Sequence, residues 1–221
     1  MTRIKICGLR KTDDALVAID SGADFIGFVF VEGVRRQITL KQADVMISDI
    51  RRLRTTCPAR LVGLFANQPV NHVNDVVKLC DLDLVQLCGQ ETIRYWSSID
   101  VQVIKQVKVE KDQNPTMVEL KVHKQVSEIV THGQYAVLDG LKKGHLGGTG
   151  ETFNWEIARQ LSPKYDFLLA GGLSPDNVAS AITTANPWGV DVSTGIETDG
   201  AKDSDKIISF INQVRLADSS L

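Results

Sequence analysis

The stretch Ile4-Lys5-Ile6-Cys7 and, one helix-length later, Phe25-Ile26-Gly27-Phe28-Val29-Phe30 carry the reading of the fold. Short runs of Ile, Val, Leu and Phe with no polar face are what strands buried on both sides look like. The same beat continues through Leu61–Ala66, Leu84–Cys88, Val101–Val107, Tyr135–Asp139, Phe167–Ala170 and Val190–Ser193. Helix signals fall between these runs. Thr39 followed by Gln42 has the form of a capping box ahead of the apolar stripe Ala43, Ile47 and Ile50. Ser174-Pro175-Asp176-Asn177 predicts a helix start, with Pro175 as the first helical residue. Ile207, Ile208, Ile211 and Val214 mark one face of a last helix. Eight such units in 221 residues match the roughly 30 residues that a strand–helix–strand step needs. The expectation is α/β, a (βα)₈ TIM barrel, with residues 1–221 as a single domain. An open doubly wound sheet is the competitor, and the absence of a switch point in the order of units argues for closure.

Composition removes several classes of function. Lys and Arg number 25 against 27 Asp and Glu, a net charge of −2, which argues against a dedicated nucleic-acid binder. No apolar run approaches the roughly 20 residues of a membrane span, and the N-terminus lacks the apolar segment of a secretory signal. Cys7, Cys57, Cys80 and Cys88 form no CxxC pair and read as reduced thiols. The four histidines are scattered, so no metal site is expected. The chain reads as cytoplasmic, without a membrane or nucleic-acid partner. Its small charge implies no partner, and monomer and homodimer both stay open.

Strand parity singles out the polar residues that matter. Side chains alternate along a strand. If Ile4 and Ile6 face the helices, Lys5 and Cys7 face the barrel interior, with Cys7 at the C-terminal mouth where such barrels place their chemistry. Two readings of Cys7 stand: a small buried hydrophobe, or a thiol whose pKa the nearby Lys5 lowers. Asp139 repeats the pattern, sharing its face with Tyr135 and Val137. It is either a turn-forming Asp before Gly140, or a poorly solvated acid with a raised pKa. Asp191 shares parity with Ser193. Because the first and last strands adjoin in a closed barrel, Lys5 and Asp191 are expected to pair inside it.

Three glycine-rich turns follow strands: Gly147-Gly148-Thr149-Gly150, Ala170-Gly171-Gly172-Leu173 and Ser193-Thr194-Gly195. The last two occupy the positions at which barrels often hold phosphate with backbone N–H groups. Arg35 and Arg36 after the second strand are either solvated surface or a planar fork for a carboxylate. His72, His123, His132 and His145 are assigned no catalytic role.

Taken together, these segments resemble the phosphoribosylanthranilate isomerase family. The matches run from Lys5-Ile6-Cys7-Gly8-Leu9 through Gly22-Ala23-Asp24, Ile26–Phe30 and Val85-Gln86-Leu87 to Leu138-Asp139. They continue with Gly147–Gly150, Phe153-Asn154-Trp155, Gly171-Gly172-Leu173 and Asp191-Val192-Ser193-Thr194-Gly195-Ile196-Glu197. The resemblance implies a TIM-barrel enzyme of tryptophan biosynthesis. It would convert N-(5-phosphoribosyl)anthranilate into 1-(2-carboxyphenylamino)-1-deoxyribulose 5-phosphate, an Amadori rearrangement that needs no cofactor. By resemblance Cys7 is the general base and Asp139 the general acid. Arg36 and Gln86 meet the substrate, and Gly148, Gly171, Gly172, Ser193, Thr194 and Gly195 hold its phosphate. The chain departs from the family twice. Gly33-Val34-Arg35-Arg36 lacks the usual serine-containing turn, and Cys88 stands where the family often has His. The competing functions are another sugar-phosphate barrel and a non-catalytic phospho-ligand binder. Cys7 combined with Asp139 argues against indole-glycerol-phosphate synthase, which uses a Lys, and histidine-pathway isomerases, which use two aspartates. A binding barrel would not need Cys7.

Overall fold

In the computed structural model, which describes residues 1–54, 58–110, 114–140 and 153–220, the elements alternate as the apolar runs predict. In chain order they are β1 (Arg3–Cys7), α1 (Thr12–Asp20), β2 (Phe25–Val29), α2 (Leu40–Leu53), β3 (Arg60–Phe65) and α3 (Val70–Cys80). There follow β4 (Leu84–Leu87), α4 (Ile93–Trp96), β5 (Gln102–Val109), α5 (Pro115–Thr131), β6 (Tyr135–Gly140), α6 (Trp155–Leu161), β7 (Phe167–Leu169), α7 (Val178–Ala185) and β8 (Gly189–Val192). A 3₁₀ turn at Thr194–Ile196, a small hairpin of β9 (Glu197–Thr198) and β10 (Ala201–Lys202), and α8 (Ser204–Asp218) complete the described chain. Strands β1 to β8 pair in parallel, each with the next, and β8 pairs back onto β1, so the sheet closes into a barrel. All eight strands lie within two residues of the expected bounds. Among the described residues no helix is long and apolar enough to cross a membrane.

Closure splits the apolar residues into two cores. Ile4, Ile6, Ile26 and Phe28 belong to the layer between strands and helices, whereas Phe25, Val62, Leu64, Leu84, Ile104, Val137 and Leu168 fill the barrel. The lower end is plugged by Tyr135 stacked on Trp188 at 4.9 Å, with Phe25 tilted against the same indole at 6.0 Å. The upper end is left to polar side chains.

The two helix-start signals lead to different local structures. Thr39 caps α2 as a true capping box: its side chain accepts from the Gln42 N–H while the Gln42 side chain accepts from the Thr39 N–H. Helix α7 begins at Val178, not at Pro175. Ser174 does accept at its carbonyl from Val178 N–H (3.1 Å). However, the Asn177 side chain accepts from Ser174 N–H (2.8 Å) and donates to the Gly172 carbonyl (2.9 Å). That local loop holds residues 175–177 in a turn before the helix starts.

The helical layer is thinnest at α4, a single turn, and a buried ion pair fills the gap. Lys105 lies on the outer face of β5 and donates to Glu91 Oε2 (2.8 Å), the Gly89 carbonyl (2.8 Å) and the Leu87 carbonyl (3.2 Å). Glu91 Oε1 accepts from the Asn67 and Gly89 N–H groups. The two side chains are 8 % and 1 % exposed. Removing one partner of such a pair strands a buried charge. Lys105→Met is therefore expected to lower unfolding stability by about 3–5 kcal/mol, read from urea denaturation. Lys105→Met combined with Glu91→Gln should recover part of that loss, and additive losses would refute the pairing account.

Candidate active site

The barrel mouth collects the polar residues that parity points inward. Cys7 ends β1 and is 5 % exposed. Its register partner on β2 is Gly27, where a Cβ would sit 3.1 Å from Cys7 Sγ. A glycine on that strand makes room for the sulfur. One residue pair lower, Lys5 and Asp191 lie opposite each other across the β1–β8 seam, and Lys5 Nζ donates to Asp191 Oδ1 at 3.0 Å. The expected interior pair forms, with Lys5 fully buried. Burial disfavours the Lys5 cation, but Asp191 and Cys7 outweigh it and raise its pKa well above the usual lysine value.

Asp139 comes from β6 and is 9 % exposed. Burial, reinforced by the Asp191 charge, pushes its carboxyl up to about 6, against the smaller opposing pulls of Gln106, Lys108 and Lys5. This is the raised acid that its position predicts. Cys7 corrects the companion expectation. Its pKa is raised, not lowered. Burial dominates, and although Lys5 and Lys202 favour the thiolate, Asp191 opposes them. A lysine already committed to a carboxylate is a weaker activator than its sequence position suggests.

Cys7 and Asp139 stand on strands separated by β7 and β8, yet both line one cavity of about 500 Å³. Arg35, Arg36, Gln86, Gln106 and both turns after β7 and β8 line it too. Arg36 is the more buried arginine of the pair. It donates to Glu197 through Nε (2.6 Å) and Nη2 (3.0 Å) and to Thr194 Oγ1 through Nη2 (2.8 Å), and its side chain is 14 % exposed against 49 % for Arg35. Glu197 also receives Arg35 and Lys202. Burial works against its charge, but the Arg36 hydrogen bond and the Lys202 charge hold it down to about 2. Three cations share one carboxylate, so the rim carries surplus positive charge suited to an anionic ligand.

Gly171, Gly172, Ser193, Thr194 and Gly195 meet at the same wall. A Cβ on Gly195 would lie 1.9 Å from the Leu173 carbonyl oxygen, so only glycine lets the two turns touch. Gly148 and its glycine-rich turn lie outside the described residues, as do Cys57 and His145. Cys88 is a buried thiol pushed up to about 12, mainly by burial, and Gln86 Nε2 approaches its sulfur at 3.5 Å. His123 is engaged with the Tyr165 hydroxyl at 3.3 Å, and neither it, His72 nor His132 lines the cavity. Gln106, Lys202 and Glu197 join the site without a role foreseen from sequence. Gln106 shares parity with Ile104 inside β5, a signal that could have found it. The convergence of Lys202 and Arg36 on Glu197 spans loops and has no such signal.

Comparison with known proteins agrees with this geometry. Residues 4–213 match the family model described as N-(5'phosphoribosyl)anthranilate (PRA) isomerase. The N-(5'-phosphoribosyl)anthranilate isomerase of Dehalococcoides mccartyi is 38% identical over 221 residues, covering 100% of this chain and 99% of its own. The crystal structure of the phosphoribosyl anthranilate isomerase from Thermotoga maritima superposes with a TM-score of 0.83 at 32% identity, covering 97% of this chain and 99% of that one. A phosphoribosyl anthranilate isomerase solved with reduced 1-(o-carboxyphenylamino)-1-deoxyribulose 5-phosphate superposes with a TM-score of 0.80 at 30% identity, with the same coverage.

Proposed function

This chain belongs to the N-(5'phosphoribosyl)anthranilate isomerase family, and from that premise we propose that Cys7 and Asp139 act as base and acid in its isomerisation of N-(5-phosphoribosyl)anthranilate for tryptophan biosynthesis. The observation that carries the proposal is the meeting of a thiol from β1 and a high-pKa carboxyl from β6 at one cavity, beside a largely buried arginine and two touching glycine turns. The whole chain serves as one catalytic domain working in the cytoplasm on a phosphorylated sugar, without nucleic acid, membrane or cofactor.

The steps follow from charge and geometry. Asp139 gives its proton to the ribose ring oxygen, the bond from that oxygen to C1 breaks, and the anthranilate nitrogen takes up the positive charge as an iminium. That cation acidifies the hydrogen on C2. Cys7 removes it as a thiolate, leaving an enolamine that tautomerises to the ketone. The phosphate is gripped at Gly171–Gly172 and Ser193–Gly195, remote from the breaking bonds, and its binding energy supplies position. Arg36 faces the anthranilate carboxylate, backed by Glu197, and Gln86 completes the wall.

The raised thiol makes the protonation state instructive. Above pH 6 the resting pair is thiol and carboxylate, whereas the reaction uses thiolate and carboxylic acid. Both forms hold one proton, so their ratio does not change with pH between the two pKa values. The profile of kcat/KM therefore rises through the Asp139 value, about 6, stays level, and falls where Cys7 loses its proton. The rising limb belongs to the acid.

The direct test follows the fluorescence of the anthranilate adduct as the purified protein consumes it, with the reduced product as competitor. Arg36→Ala should raise KM about 10- to 100-fold, the worth of a charge-assisted hydrogen bond, while Arg35→Ala stays within about threefold. No turnover by the parent protein defeats the function, and equal effects of the two arginines defeat the carboxylate assignment.

A further inference from the structure

Gln106 is a buried amide whose reason for being where it is lies in Asp139. Beneath it the barrel interior is aliphatic, with Ile104 on the same face of β5 and Leu84, Leu64, Val137 and Leu168 on other strands, while Lys108 follows it on that face and Gln86, Asp139 and Asp191 line the cavity with it. A leucine or methionine would continue that packing. Instead Gln106 is 9 % exposed, and its buried Oε1 has no hydrogen-bond partner among the described residues. An unpaired buried carbonyl is costly. The one hydrogen bond of its side chain among the described residues runs from Nε2 to Asp139 Oδ2 at 2.8 Å. Among the described residues the amide acts through that N–H.

We infer that Gln106 is a positioning residue for the acid step, holding Oδ2 of Asp139 so that Oδ1 carries the transferable proton toward the cavity. The inference rests on the proposed role of Asp139. An N–H donated to Oδ2 makes that atom the carbonyl-type oxygen of the neutral acid and excludes a proton from it. When Oδ1 gives its proton to the ring oxygen, the bond to Oδ2 becomes charge-assisted and strengthens. Above pH 6 the same bond also stabilises the resting carboxylate, so its net contribution to rate is the orientation of the acid. The charged groups around the carboxyl are Asp191 on β8, Lys108 on β5 and Lys5 on β1. None is altered by changing Gln106, so a change in titration on its substitution reports the amide itself.

The test uses Gln106→Met, which keeps size and removes the amide, and Gln106→Glu, which keeps shape and adds a second carboxyl. Carbon-13 NMR of aspartate-labelled protein follows the Asp139 carboxyl, identified by its absence in Asp139→Asn. Loss of the N–H should raise the Asp139 midpoint by about one pH unit. The glutamate should raise it further, because two carboxyls sharing a site resist double ionisation. The rising limb of kcat/KM should move to higher pH with it. Lost orientation costs up to about a hundredfold; the more basic carboxyl restores up to about tenfold of the reactive protonation state. For Gln106→Met, kcat at pH 8 should therefore fall about tenfold with KM within about twofold. A purely structural role would lower the active fraction and leave the limb where it was. Unmoved titration in both variants overturns this inference alone. A moved titration with an unmoved limb, together with an active Asp139→Asn, overturns the acid assignment beneath it.

Discussion

Cys7→Ala is expected to lose turnover by about 10²–10⁴-fold while still folding and still binding the reduced product. The sulfur sits at the end of β1 on the wall of an existing cavity, so its removal enlarges a space that is already there. The Lys5–Asp191 pair beneath it keeps both partners. The stability cost of a small truncation beside open space falls at or below the low end for core truncations, about 1 kcal/mol. Binding should survive because Arg36 and the turns proposed to hold the phosphate hang on β7, β8 and the loop after β2, none of which leans on the sulfur for its fold. What disappears is the group proposed to take the C2 proton. Cys7→Ser makes the point sharper. It keeps the shape and a polar hydrogen, but a serine hydroxyl is a far weaker acid than a thiol and gives almost no anion, so turnover should stay near the alanine level. The measurement is the kcat of adduct decay beside the dissociation constant of the reduced product. Turnover near that of the parent in either variant removes Cys7 from the base role. A lost kcat with equally lost binding would make it a structural residue instead.

How much of this is legible in the chain follows from parity. An alternating code on a strand is rigid: once Ile4 and Ile6 face the helices, Lys5 and Cys7 have one place to go, and the same holds for Asp139 and for Asp191. Closure then converts sequence separation into contact, which is why a Lys at position 5 and an Asp at position 191 can be paired on paper and lie 3.0 Å apart in space. The same code places Gln106 inside, but an amide reads as ordinary until its oxygen is seen to lack a partner among the described residues. Electrostatics is less legible. Lys5 next to Cys7 suggests a thiolate; whether it produces one depends on depth of burial and on Asp191 competing for the same cation, and both are properties of the closed barrel. The start of α7 escapes the sequence because Asn177 bonds back to Ser174 and Gly172, a contact among neighbours that a capping pattern does not encode. The hub at Glu197 joins the loop after β2 to the hairpin after β8, and no local pattern predicts which cations will converge on one carboxylate.

Asp139→Asn separates function from folding most cleanly, because it should abolish one and strengthen the other. Asn keeps the shape, and its oxygen can still accept from Gln106 Nε2, so the cavity wall is preserved. It has no proton to give to a ring oxygen, and turnover is expected to fall by about 10²–10⁴-fold. The residual rate should lose the rising limb near pH 6, since the group that made it is gone. Stability moves the other way. The carboxyl titrates at about 6 in the folded protein against the ordinary 3.8. Between those values the folded state holds a proton that the unfolded state has released, so stability falls as pH rises through this window. The stabilisation present below pH 4 is lost above pH 6, a difference on the order of 3 kcal/mol for the parent. The Asn variant does not titrate there and keeps its stability. Urea midpoints of parent and variant should therefore nearly coincide at pH 4 and diverge at pH 8, with the variant the more stable. A parent whose stability did not decline across this range would contradict the raised carboxyl. Activity within tenfold of the parent would contradict its use as the acid. A variant both inactive and less stable at pH 8 would mean that Asp139 is held for its negative charge, and the chemistry would need another donor.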